Sequence, residues 1–346
     1  MSAEEFDDGC LDDPQALAAA DEPLRNLAEA GARVRHEVNA AHEAMAVLAG
    51  VPRPRAVVAA GADARLLRAV LEPWCPVPFV AWPGPSLPGW AGALDLVVVI
   101  APGAHSPEAA SAAAEAVRRG CTLLVSAPAS SPLAESSASS ATVLLPTQTA
   151  DVLAVAVVAL QALHSIGLGP EVNAEEVAMA LVDASLRCGP RSDLAANPAK
   201  DIAVLLAEAT PLVWGGSVLA ARAGRRFAEA LRKASGRPAL AADAEHLMPL
   251  VRSAPRHDIF ADPFDSEPTE RRPVLLVLDD GAEDPAIRAR RSRLLAAVES
   301  NGVRHRVIPC VDGGPVSRYA ALHSIGQYAA LYLALGLGRI ARPAEV

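Results

Sequence analysis

Three short turns hold the residues best suited to gripping an anion: Gly61-Ala62-Asp63, Gly103-Ala104-His105-Ser106 and Gly215-Gly216-Ser217. Glycine lets backbone N–H groups close on a ligand, a serine hydroxyl adds a donor, and an imidazole can add another. A helical pattern follows each turn, and a helix N-terminus presents unpaired N–H groups and the positive end of its dipole. The chemistry on offer is oxyanion binding, with Gly61, Ala62, Gly103, His105, Ser106, Gly215, Gly216 and Ser217 as candidates. A plainer reading stands beside it. Asp63 and Ser106 have the chemistry of helix N-caps, and Ser106-Pro107-Glu108 is the ordinary start of a helix. Gly215-Gly216-Ser217 offers two flexible amides and a hydroxyl, which makes it the best anion site of the three. None of the turns matches GxGxxG or GxxxxGK[ST], so there is no nucleotide fingerprint.

The elements that must position these turns follow from the hydrophobic pattern. Short apolar runs at Arg55–Ala60, Val77–Trp82, Leu94–Ile100, Cys121–Ala127 and Ala141–Pro146 read as strands, with helices at 22–49, around Leu66–Val70 and at 107–119. Helices are expected at 150–167, 173–186 and 201–209. The first pattern then resumes: a strand at Pro211–Gly216, a helix at 218–234, a short strand within "RPALAAD", a strand at Arg272–Asp280, a helix at 285–300 and a strand in "VRHRVIP". The chain closes with the apolar helix "YAALHSIGQYAALYLALGL". Near-continuous apolar strands alternating with helices imply an α/β fold with parallel sheets covered on both faces. The expected division is an acidic segment at 1–21, ordered in part at best, a first domain at 22–168, a helical connector at 169–209 and a second domain at 210–346. The two β/α halves form an internal duplication of pattern.

Composition narrows the partners. The 346-residue chain is 51% hydrophobic and carries a formal charge of −9, which disfavours nucleic acid. Its basic clusters, Arg222-Arg225-Arg226 and Arg288-Arg290-Arg291-Arg293, fall at helical spacing and read as solvated helix faces. The five cysteines and eight histidines are scattered without metal-ligand spacing, so no metal, cofactor or disulfide framework is expected. The acidic start is the reverse of a signal peptide, and no apolar run is long enough for a membrane span, so a cytoplasmic location is expected.

Three segments carry a resemblance: "EAASAAAEAVRRGCTLLVSAPASSPLAESS" from Glu108, "LVWGGSVLAARAGRRFAEALRKASGRPAL" from Leu212, and "SIGQYAALYLALGLGRIARP" from Ser324. In this order the chain resembles the double-SIS (sugar isomerase domain) proteins of the bifunctional phosphoglucose/phosphomannose isomerase family, closest to a divergent actinobacterial, TobH-like branch. The resemblance implies two three-layer αβα domains, a hexose-phosphate ligand and a homodimer; the stripe Ala329, Leu333 and Leu337 of the last helix reads first as core and second as part of that contact. Such proteins hold phosphate with a Ser-x-Ser-Gly-x-Thr turn. Overlaid on Gly103, that turn puts Ile100 and Pro102 at the serines and His105 at the threonine. The isomerase's proton-shuttling glutamate falls on Lys233, its histidine near Pro249, and its phosphate-side arginine on Ala150 or Asp151. The acid/base candidates the resemblance leaves are Glu245 and His246.

Since losing one general base costs roughly 10²–10⁴ in rate, the expectation is a sugar-phosphate-binding protein with a degenerate isomerase site, acting as a sensor or partner in hexose-phosphate metabolism. Two alternatives remain open at this stage. One is an active glucose-6-phosphate/mannose-6-phosphate isomerase using Glu245 and His246. The other is a dimeric scaffold that binds no sugar.

Overall fold

Most of the apolar runs become strands here, and alanine-rich stretches between them become helices that lie close to the sheets. The computed structural model describes residues 5–61, 64–103, 106–254 and 271–340. It separates into two compact units, one of Ala30–Met179 and one of Met1–Glu29 with Ala180–Val346. They are called the middle unit and the outer unit below.

The chain opens with a 3-10 turn at Asp8–Leu11, helix α1 (Pro14–Ala19) and helix α2 (Asp21–Ala28). Of the segment 1–20, expected to be ordered in part at best, residues 5–20 are described and pack into the outer unit. Leu11 and Ala20 are fully buried, and the Asp7 amide donates to the Gly336 carbonyl at 2.9 Å. The apolar residues among the acidic ones supply the burial that net charge alone did not suggest.

The middle unit runs α3 (Ala30–Val47), β1 (Val57–Ala60), α4 (Ala64–Leu71), β2 (Phe79–Trp82), β3 (Leu96–Ile100), α5 (Pro107–Arg118), β4 (Thr122–Ala127), α6 (Pro132–Ser136), β5 (Thr142–Pro146) and α7 (Val152–Ser165). Its strands are all parallel, in the order β2-β1-β3-β4-β5. Every residue of β1 and β3 is buried, as expected of strands covered on both faces. Ala109, Ala112, Ala113 and Ala116 form the buried stripe of α5, and their small side chains seat it on Val97, Val99, Leu123 and Val125. The opposite face is covered by α7, which is buried from Leu153 to Leu160. Two polar anchors fix this unit. Fully buried Asp95 takes Arg55 Nε and Nη2 at 3.0 and 2.7 Å, and Glu115 holds Arg119, whose Nη1 donates to the Pro88 carbonyl at 2.7 Å.

The chain then crosses into the outer unit through α8 (Ala174–Cys188) and continues as α9 (Pro198–Leu206), β6 (Ala209–Gly215), α10 (Val218–Ser235), β7 (Leu240–Ala241), α11 (Ala244–Arg252), β8 (Arg272–Asp279), α12 (Pro285–Ser300), β9 (Arg304–Pro309) and α13 (Pro315–Gly336). The second sheet is also parallel, ordered β7-β6-β8-β9, which repeats the first four positions of the other sheet. The duplication seen in pattern is thus a duplication of topology. Helices α11 and α12 cover one face through Leu247, Val251, Leu294 and Val298. On the other face α10 packs against α13, where a Cβ on Gly326 would stand 2.8 Å from the Phe227 ring. Lys200 is fully buried: its Nζ reaches Asp12 at 2.5 Å and the Ser192 carbonyl at 2.9 Å, and lies 5.5 Å from the Tyr332 ring centre.

Ala329, Leu333 and Leu337 are buried, as the core reading of that stripe expects. Two further expectations change. Arg222 is 5% exposed because it lies on the same stripe of α10 as Leu219, Ala223 and Phe227, so that cluster is not wholly a solvated face. Helix α11 had not been read from sequence, since Pro249 interrupts its pattern. Among the described residues no helix is long and apolar enough to cross a membrane, and no group of three His, Cys, Asp or Glu could hold a metal ion.

Candidate functional site

In a parallel sheet a ligand crevice forms at the C-terminal edge where helices leave neighbouring strands toward opposite faces. In the middle unit this point lies between β1 and β3, with α4 on the α7 side and α5 on the other. In the outer unit it lies between β6 and β8, followed by α10 and α12. The two edges present different chemistry.

The β1/β3 edge is open. Gly61 has φ of +99°, a left-handed conformation that favours glycine, and a Cβ there would meet no atom within 4 Å. Gly103 is exposed and its Cβ position is equally empty. The Gly61 amide is engaged, donating to the Trp82 carbonyl at 3.2 Å. Ser106 caps α5 by accepting from the Ala109 amide at 3.3 Å, which leaves its hydroxyl proton to donate elsewhere. Glu108 stands exposed in the first turn. Ala62, Asp63 and His105 lie outside the described residues.

Further along the same edge are groups the sequence did not flag. Ser126 Oγ at the end of β4 and Thr147 Oγ1 just after β5 are buried without a hydrogen-bond partner. Glu37, 1% exposed, reaches from α3 to accept the Gln148 amide at 3.0 Å and the Thr149 amide at 2.5 Å. Two amides that could face an anion are thus taken by the protein's own carboxylate. Of the two positions at which the resemblance places an arginine, Ala150 has no charged group, and Asp151 caps α7 through the Leu153 and Ala154 amides and pairs with Arg33 Nε at 2.8 Å.

The β6/β8 edge is filled from within. A Cβ on Gly215 would lie 2.2 Å from the Ala220 carbonyl carbon, and one on Gly216 would lie 2.4 Å from Ile287 Cγ2. Close packing therefore explains both glycines. Ser217 accepts from the Ala220 amide at 3.0 Å as the cap of α10, and its hydroxyl donates to Asp280 Oδ2. Arg291 Nη1 is bound to Asp279 at 2.5 Å, and Arg318 Nη1 to the Asp280 carbonyl at 2.9 Å. An incoming phosphate would meet a carboxylate before it met a free donor.

Glu245 and His246 are exposed on α11, and Glu245 Oε1 lies 3.7 Å from Arg290 Nε. Adjacent residues on a helix do not face each other, so carboxylate and imidazole diverge. Lys233 is exposed in the last turn of α10, and Pro249 lies inside α11.

Residues 195–345 match the family model of the bacterial phospho-glucose isomerase C-terminal SIS domain. No curated protein matches the chain in sequence. Among solved structures, tagatose-6-phosphate ketose/aldose isomerase from Escherichia coli superposes with a TM-score of 0.66 at 15% identity, covering 92% of this chain and 94% of that one. The C-terminal domain of glucosamine-fructose-6-phosphate aminotransferase from Francisella tularensis superposes with 0.61 at 13% identity, covering 91% and 96%. A glucose-6-phosphate isomerase like protein from Thermus thermophilus gives 0.51 at 17% identity, covering 83% and 82%. At these identities the likeness establishes the fold, two SIS-type αβα domains with parallel sheets. The expected resemblance to phosphoglucose-isomerase-type SIS proteins is borne out.

Proposed function

We propose that this protein binds a phosphorylated sugar at the β1/β3 edge of the middle unit without isomerising it, as a cytoplasmic, homodimeric sensor or partner of hexose-phosphate metabolism. The observation that carries the reading is the contrast between the two edges: Gly61 and Gly103 border empty space, whereas Ser217 is bonded to Asp280. The structural neighbours named above bear the names of phosphosugar enzymes or of a protein like one, which supports the ligand class. Aldose–ketose isomerisation needs a base within reach of the C1 and C2 protons and a group to assist ring opening. The resemblance puts the glutamate on Lys233, the histidine near Pro249 and the phosphate-side arginine on Ala150 or Asp151, and Glu245 and His246 diverge as exposed side chains of α11.

The test is a calorimetric titration of the full chain with glucose, mannose, fructose and hexosamine 6-phosphates, beside a coupled isomerase assay. Binding of at least one sugar phosphate, absence of turnover, and loss of binding in Gly103→Glu are expected. That variant places a carboxylate on the open edge where a side chain meets no neighbour. Turnover abolished by Glu245→Gln would establish the isomerase alternative. A stable dimer that binds none of these sugars would establish the scaffold.

A further inference from the structure

We propose a second anion site, independent of the sheet edges: the groove between α11 and α12 binds a small polyanion bearing phosphate or carboxylate groups. The groove encloses about 580 Å³, within the range of small-molecule sites, and its walls include Arg252 from α11 and Arg290 and Arg293 from α12. The arginine run of α12 thus divides by task. Arg291 turns to Asp279 at the sheet edge, Arg290 approaches Glu245 at 3.7 Å, and Arg293 joins Arg252 in the groove. Among the described residues, neither Arg252 nor Arg293 makes an ion pair. On a chain of net charge −9, this gathers guanidinium groups in one concavity, with the Glu245 carboxylate among them.

Like charges three residues apart on a helix repel, so Arg290 and Arg293 gain from an anion placed between the helices. Guanidinium groups suit phosphate and carboxylate oxygens through paired N–H donors. Met248 and Ala297 give the groove an apolar floor for the carbon body of a ligand.

The probes are inorganic pyrophosphate and tricarballylate, titrated into the full chain by calorimetry at low salt. At least one should bind, with Kd on the order of 1 mM, and the one that binds identifies phosphoryl or carboxylate chemistry. Arg252→Gln/Arg293→Gln should weaken binding about tenfold or more, while Glu245→Gln should tighten it several-fold by removing the competing carboxylate. All three side chains are exposed, so an unchanged melting temperature confirms that the variants fold. Gly103→Glu should leave this binding intact, which separates it from the sugar-phosphate reading. No heat with either probe at about 10 mM, or equal affinity in wild type and the double arginine variant, overturns the proposal.

Discussion

Replacing Asp280 with alanine should create phosphate binding at the N-terminus of α10. In the native chain the Ser217 hydroxyl donates to this carboxylate while its oxygen caps the helix through the Ala220 amide. A phosphate within hydrogen-bond reach of Ser217 would stand about 4–5 Å from Asp280, where two unit charges repel by up to ~4 kcal/mol at an effective dielectric near 20. Partial exposure of the site reduces this to about 1–2 kcal/mol. The freed hydroxyl adds about 1.5 kcal/mol to a charged acceptor. Together they favour the variant by roughly 3 kcal/mol, about 100-fold in affinity. The stability loss should be small, ~1 kcal/mol, because the cap to Ala220 survives. Calorimetry and ³¹P NMR with inorganic phosphate at low salt would compare wild type, Asp280→Ala and Asp280→Ala/Ser217→Ala. The reasoning predicts a large gain in the single variant that is mostly lost in the double. Equal affinity in all three chains would refute it.

Gly215→Ala should destabilise the outer unit by about 3 kcal/mol or more, since the new Cβ meets Ala220 backbone at 2.2 Å, whereas Gly103→Ala should change the melting temperature little; similar melting curves for the two would contradict the packing assignment. Asp12→Ala should cost about 2–3 kcal/mol in denaturant titration and exceed Lys200→Met, because it strands a fully buried ammonium while Asp12 itself is half exposed. Burial pushes the Cys188 thiol up to about 12 and the Cys310 thiol up to about 11 from an ordinary 9.0. Above pH ~9 the unfolded chain therefore releases these protons before the native one does, so stability should fall as pH rises from about 9 to about 11–12. The fall should be shallower in Cys188→Ala/Cys310→Ala, measured as melting temperature against pH.

The inner strands were legible because β1, β3, β4 and β8 carry short apolar runs, and runs such as "LVVVI" make sense only when both faces are covered. Helix α11 was hidden by Pro249, and the order in residues 5–20 by acidic neighbours that mask the burial of Leu11. The site was less legible. A glycine that admits a ligand and one that admits a neighbouring helix are identical in sequence, so Gly215 and Gly216 read as donors although Ala220 and Ile287 account for them. Nothing local to Ser217 indicates that a carboxylate sixty-three positions later occupies its hydroxyl. Glu37 takes the Gln148 amide from still farther along the chain. Ser126 lies within apolar β4 and Thr147 just after β5, and only the fold reveals that their hydroxyls are buried and unpartnered.

The central claim is that a phosphorylated hexose binds the open edge and leaves unchanged. It is tested most directly by holding the full chain with fructose 6-phosphate and following the sample by ³¹P NMR over a day. The account predicts a broadened or shifted fructose 6-phosphate resonance that Gly103→Glu abolishes, with no glucose or mannose 6-phosphate appearing. Accumulation of either aldose phosphate at a rate proportional to protein concentration would contradict it.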